Sequence, residues 1–164
     1  MSTPSILRGI ARPLRALEAG MQRIPEALLQ TLGRFSIAAV FWKSGETKID
    51  GFAVDLIDWH FELGMPHLSA TAVDLFRDEY RLPLIAPQFA APLAATAEHV
   101  FPLLILLGLA TRLSAFSLLC MTAVIEIFVY PAAYPTHGVW ATVLLYLMMR
   151  GAGPLSLDRL LGKK

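Results

Sequence analysis

From Phe101 to Tyr130 the chain reads FPLLILLGLATRLSAFSLLCMTAVIEIFVY, and in that length only Arg112 and Glu126 carry charge. A helix needs about 20 apolar residues to cross about 30 Å of hydrocarbon. This stretch covers most of two such crossings, joined at Gly108–Arg112. Composition agrees, with 55% hydrophobic and 16% charged residues and a mean hydropathy of +0.56. Soluble domains average about 45–50% apolar and about 25% charged residues. With 164 residues, the expectation is a single all-α domain, a transmembrane four-helix bundle.

Four segments suit a span: 26–43, 89–110, 112–130 and 136–150. They make a transmembrane domain over 26–150 with a long loop at 44–88. Residues 1–25 precede it, and a tail at 151–164 follows. Lys and Arg assign the sides, because cytoplasmic loops carry their excess. Arg8, Arg12, Arg15 and Arg23 lie before the first span, Arg112 between the second and third, and Arg150, Arg159, Lys163 and Lys164 in the tail. YPAAYPTH, between the last two spans, has none, and the 44–88 loop is net acidic. Both termini are therefore expected in the cytoplasm of a bacterial inner membrane, with the long loop outside. SILRGIARPLRALEAGMQRI alternates apolar residues with arginines. It lacks the apolar core of a signal peptide and suits an amphipathic segment on the anionic inner leaflet, or a basic flank.

In the loop, Phe52, Leu56, Trp59 and Leu63 are spaced as one helical face. ATAVDLFRDEY reads as a second short helix stopped by Pro83. Trp42, Trp59, Tyr130, Tyr134 and Trp140 suit an interfacial aromatic belt.

Charges inside the spans are the first candidates for function, because an ionisable group at depth is expensive and is expected to have a partner. Arg34 lies nine positions before Lys43, and Glu98 nine after Phe89, in helices of opposite direction. Equal depth predicts an Arg34–Glu98 ion pair, either structural or part of a ligand or proton site. Gln30 and Glu26 extend a polar stripe below Arg34, and Thr122, Glu126 and Tyr130 form another at i, i+4, i+8. With His99 and His137, the residues Arg34, Glu98, Glu126 and Tyr130 are expected around one cavity in the outer half. His99, Glu126 and His137 are suitable metal-ligand types, but no sequence-local spacing supports a metal site. His60 and His67 read as loop surface and Cys120 as a small core residue. One cysteine excludes an intrachain disulfide and any CxxC motif. The formal charge of +1 gives no reason to expect nucleic acid.

Several short motifs occur in order from Arg34 to Asp158. Arg34 is followed by F-W-x-S-G-x-x-K, which is Phe41, Trp42, Ser44, Gly45 and Lys48. Next come EYRLPLIAP, with Tyr80, Pro83 and Pro87, then Glu98, and then LGLATRL, with Gly108, Thr111 and Arg112. The YP…YPTH turn holds Tyr130, Pro131, Pro135 and His137, and the tail holds Gly151, Ser156 and Asp158. This pattern resembles the DoxX family of small bacterial membrane proteins.

The resemblance implies a four-helix bundle in the inner membrane and an association with membrane redox systems, since the family takes its name from a subunit linked to thiosulfate:quinone oxidoreductase. The chain has no haem, flavin or CxxC motif, so as an oxidoreductase subunit it would need quinone or a protein partner. Arg34, His99, Tyr130 and His137 could donate hydrogen bonds to a quinone headgroup, and Glu98 or Glu126 could relay a proton. The first expectation is thus a small-ligand or quinone site in a redox-linked system. The alternatives are a non-catalytic anchor or assembly factor docking a periplasmic protein, and a small carrier for an anion or metal ion that would need to oligomerise.

Overall fold

The computed structural model describes residues 13–15, 17–55 and 59–162. The expected amphipathic segment lies partly outside them. Within them, residues 17–21 are helical, and Leu14, Leu17 and Met21 are exposed.

Four long helices carry the fold. They are α1 (Glu26–Glu46), α3 (Pro87–Leu107), α4 (Thr111–Val124, running on as a π-helical stretch Ile125–Val129) and α5 (Tyr134–Arg150). Between α1 and α3 stand β1 (Ile49–Asp55), β2 (His60–Leu68) and the short helix α2 (Ala72–Asp74, continued by a π-helical stretch Leu75–Tyr80). A last short helix, α6, spans Leu157–Leu160. α1 packs against α3 and α5, and α4 packs against the same two, so the four close into a ring. Its core is Ile37, Phe41, Ile105, Ala115, Leu118, Leu144 and Leu147.

The ring is apolar outside as well as inside. Leu93, Leu103, Leu113, Phe116, Ile127, Phe128, Val139 and Met149 are all exposed, which suits a surface set against hydrocarbon. Among the described residues two helices, Pro87–Leu107 and Thr111–Val129, are long and apolar enough to cross a membrane, with mean hydropathies of 1.6 and 1.8. Cys120, expected in the core, is exposed on this outer surface. In an apolar solvent a small apolar residue has no need to face inward, so its chemistry did not reveal its facing.

The loop differs from its expected form. Phe52 and Leu63 face each other across an antiparallel hairpin, paired from Ile49↔Leu68 to Asp55↔His60. They do not share a helical face, and Leu56 lies outside the described residues. Apolar spacing of three and four over so short a run also fits a strand–turn–strand, and two glycines tip the balance. Gly51 has φ +81°, at the break in register between Asp50 and Phe52. Gly64 lies opposite, where a Cβ would come within 2.6 Å of the Gly51 carbonyl oxygen. Together they allow the bulge that bends the hairpin. Lys43 Nζ holds Asp55 Oδ2 at 2.7 Å, and Glu46 Oε1 accepts from the Trp42 indole and the Val54 amide, so the hairpin is anchored to the end of α1. The expected second short helix is present as α2, ended by Arg81 in the left-handed region before Pro83.

Candidate functional site at a buried lysine–glutamate pair

Glu98 sits on α3 with its side chain 3% exposed. Its partner is Lys48, not Arg34. Lys48 Nζ lies 2.8 Å from Glu98 Oε2 and is itself 2% exposed. It also donates to the Ser44 carbonyl (2.9 Å) and hydroxyl (3.1 Å). The Ser44 hydroxyl donates to Glu98 Oε1 at 3.2 Å. Lys48 lies just past the C-terminal end of α1 and folds back over it, where the carbonyls of a helix end favour a cation. Pro102 has no N–H to offer the Glu98 carbonyl, so this turn of α3 is also short of one backbone bond.

Arg34 lies far from this site. Its guanidinium donates to the carbonyls of Ile105 (2.8 Å), Leu106, Ala152 (3.1 Å) and Leu155 (2.6 Å). Ile105 is seven residues beyond Glu98 on α3, about 10 Å along the axis. The expected ion pair fails for two reasons. α1 continues to Glu46, which moves Arg34 away from the hairpin end. Side chains on a helix also lean toward its N-terminus, which carries the guanidinium to the other end of the ring, called here the tail end. There it satisfies the last carbonyls of α3, which have no partners within the helix. Gln30 and Arg34 do face the interior, at 6% and 5% exposure. Glu26 instead pairs with Arg150 at the surface.

His99 adjoins the lysine–glutamate pair. Its Nδ1 donates to the Ala95 carbonyl at 2.7 Å, and its ring meets Trp42 edge-on at 4.9 Å. A carbonyl cannot donate, so Nδ1 carries a proton, and Nε2 is the other ring nitrogen. That Nε2 is buried and has no hydrogen-bond partner among the described residues. Glu98 Oε2 is buried too, but the Lys48 ammonium stands 2.8 Å from it. Gly45 makes room for this arrangement. A Cβ there would stand 2.6 Å from His99 Cε1 and 3.1 Å from Glu98 Cβ.

Glu126 and His137 form a second pair, with His137 Nδ1 2.6 Å from Glu126 Oε2. His137 is 6% exposed and packs on Trp140. Tyr130 belongs to a third contact: it donates to Glu79, and its ring meets Tyr80 at 5.9 Å. The Tyr80 phenol is pushed above its ordinary value, first by burial and then by the carboxylates of Glu98 and Glu79. The expected single cavity therefore resolves into separate pairs, and Arg34 belongs to none of them. His99 does not join Glu126 and His137. Among the described residues no three His, Cys, Asp or Glu side chains are grouped to hold a metal ion. His60 and His67 are exposed on β2.

The residue missed as a charge partner was Lys48, although it stood in the F-W-x-S-G-x-x-K run. Its i, i+4 relation to Ser44 was the available signal. Asp158 has a role that no local pattern announced. Its carboxylate accepts from the amides of Ala110 (2.9 Å) and Thr111 (3.0 Å) and so caps α4 from 47 residues away.

No solved structure matches the chain. A protein of Haemophilus influenzae described as "Uncharacterized protein" is 28% identical over 153 residues, 87% of this chain and 89% of that protein. The DoxX family model matches residues 29–131, a range that includes Lys48, Glu98, His99 and Glu126. That is more than half of the chain, and the chain belongs to the DoxX family.

Proposed function

We propose that this chain is a four-helix transmembrane protein of the bacterial inner membrane, with both termini in the cytoplasm and the hairpin end outside. In this reading it serves a redox-linked membrane system by binding a small ligand beside Glu98 and His99. One observation carries the reading: a buried ring nitrogen, His99 Nε2, has no hydrogen-bond partner among the described residues and adjoins the Lys48–Glu98 pair. A buried polar atom left unmatched is costly, and a ligand hydroxyl would satisfy it. A quinol headgroup has two such hydroxyls on an apolar ring, and Trp42 offers an aromatic edge beside them. Oxidation of the quinol releases two protons and two electrons: in this reading His99 Nε2 takes one hydroxyl proton and the Glu98 carboxylate the other, while both electrons leave to a redox protein of the same system. The test is to extract and quantify quinone from the purified protein, and to titrate it with a short-chain quinol while reading tryptophan fluorescence. Saturable quenching in wild type that is lost in His99→Ala supports the reading. Absence of bound quinone together with absence of saturable quenching sinks it.

One observation favours a second reading, a membrane anchor that docks an external protein. Phe61, Leu63 and Met65 alternate along β2, so they share one face, and all are exposed. If docking is the role, replacing all three by Ser abolishes activity in cells and leaves quinol binding intact.

A further inference from the structure

The tail end of the ring carries a cleft of about 990 Å³. It lies where the turn into α4, the end of α5 and the tail meet. It is separate from the Lys48–Glu98 pair and rests on none of that pair's chemistry. Three arginines line it: Arg112 at the start of α4, Arg150 at the end of α5 and Arg159 on α6. All three are exposed.

The acidic groups nearby are already engaged. Asp158 lines the cleft, but both its carboxylate oxygens accept backbone amides of α4. Glu26 holds Arg150 at 3.2 Å. Among the described residues no carboxylate forms an ion pair with Arg112 or Arg159. Gly151 brings the chain close under Arg112, since a Cβ there would lie 3.5 Å from its Nε. Thr111 also lines the cleft, and its buried hydroxyl has no hydrogen-bond partner among the described residues.

We propose that this cleft binds a phosphate-class oxyanion, with Arg112 and Arg159 as its principal ligands. Guanidinium groups present planar forks of donors that match phosphate oxygens two at a time. A tetrahedral anion can accept from several arginines around one cleft, which a single planar carboxylate does less well. Leu113 lines the cleft and is exposed, and Leu155, Leu160 and Leu161 of the tail are exposed as well. A phosphate carried by a lipid headgroup and a soluble phosphate have the same chemistry here.

The experiment uses the full chain in two preparations. Purified protein in detergent is titrated with inorganic phosphate, against chloride at equal ionic strength. Protein in nanodiscs of phosphatidylglycerol is compared with protein in phosphatidylcholine. Thermal stability is read in both, and native mass spectrometry counts retained lipid. A saturable rise with inorganic phosphate identifies a soluble anion. A rise or retained lipid only with phosphatidylglycerol identifies a headgroup. Either supports the site, provided Arg112→Gln/Arg159→Gln binds about tenfold more weakly or worse and the Lys double variant recovers part of the loss. Arg159→Gln alone, on the short exposed α6, serves if the double variant does not fold. No saturable response in either preparation, or an equal response from the Gln variants, overturns the proposal.

Discussion

Lys48 Nζ lies 2.8 Å from Glu98 Oε2, with the two side chains only 2% and 3% exposed. A pair this buried contributes modestly as a pair but is costly to break, because one charge is left stranded. Lys48→Met is therefore expected to destabilise the protein by about 3–5 kcal/mol. Lys48→Met/Glu98→Leu should recover most of that. Thermal or denaturant unfolding in detergent checks it. A single variant as stable as wild type would show that the charges are not coupled.

Gly45 permits the close approach of α1 and α3 at His99. Gly45→Ala would push a methyl into the imidazole and against Glu98 Cβ, and overpacking of this kind costs about 1–3 kcal/mol. Adding His99→Ala should restore stability, since it removes the nearest obstacle. If the double variant is no better than Gly45→Ala alone, the clash is elsewhere.

Arg34 ties the tail to the ring through four carbonyls on two segments. Arg34→Lys keeps the charge but cannot fork across both. Each buried carbonyl left without a donor costs about 1–3 kcal/mol. Amide hydrogen exchange should rise selectively in residues 151–162 and spare α3 near Glu98. A uniform rise would instead mean that Arg34 supports the whole ring.

Tyr80 supplies a pH test. Its folded-state pKa is raised above the ordinary 10.0 by burial first and by Glu98 and Glu79 next. The neutral phenol is thus the form the fold prefers. Its contribution to stability is complete below about pH 10 and is lost as pH rises through the higher folded value. The stability difference between wild type and Tyr80→Phe should be flat at neutral pH and should change only in alkali. A tyrosinate titration in which Tyr80→Phe removes an early component, at or below pH 10, would contradict the assignment.

The helical segments were legible because each feature that marks them is local. Pro25 stands before α1, Pro87 begins α3, Gly108 with φ +68° ends it, and Gly151 follows α5. Apolar length and such punctuation are properties of consecutive residues. The hairpin was not legible, because Phe52 to Leu63 satisfied two periodicities and the choice lay in Gly51 meeting Gly64 across the strands.

Charge pairing was decided by packing alone. Residue counts placed Arg34 level with Glu98, yet rotation about each helix axis and the reach of a long side chain separate them. Lys48, outside any span expected from apolar length, folded back to take the carboxylate. The sequence by itself determined how much of the chain must avoid water and where its helices break. Only the tertiary structure decided which buried charge meets which, because a side chain's facing depends on neighbours that are distant along the chain.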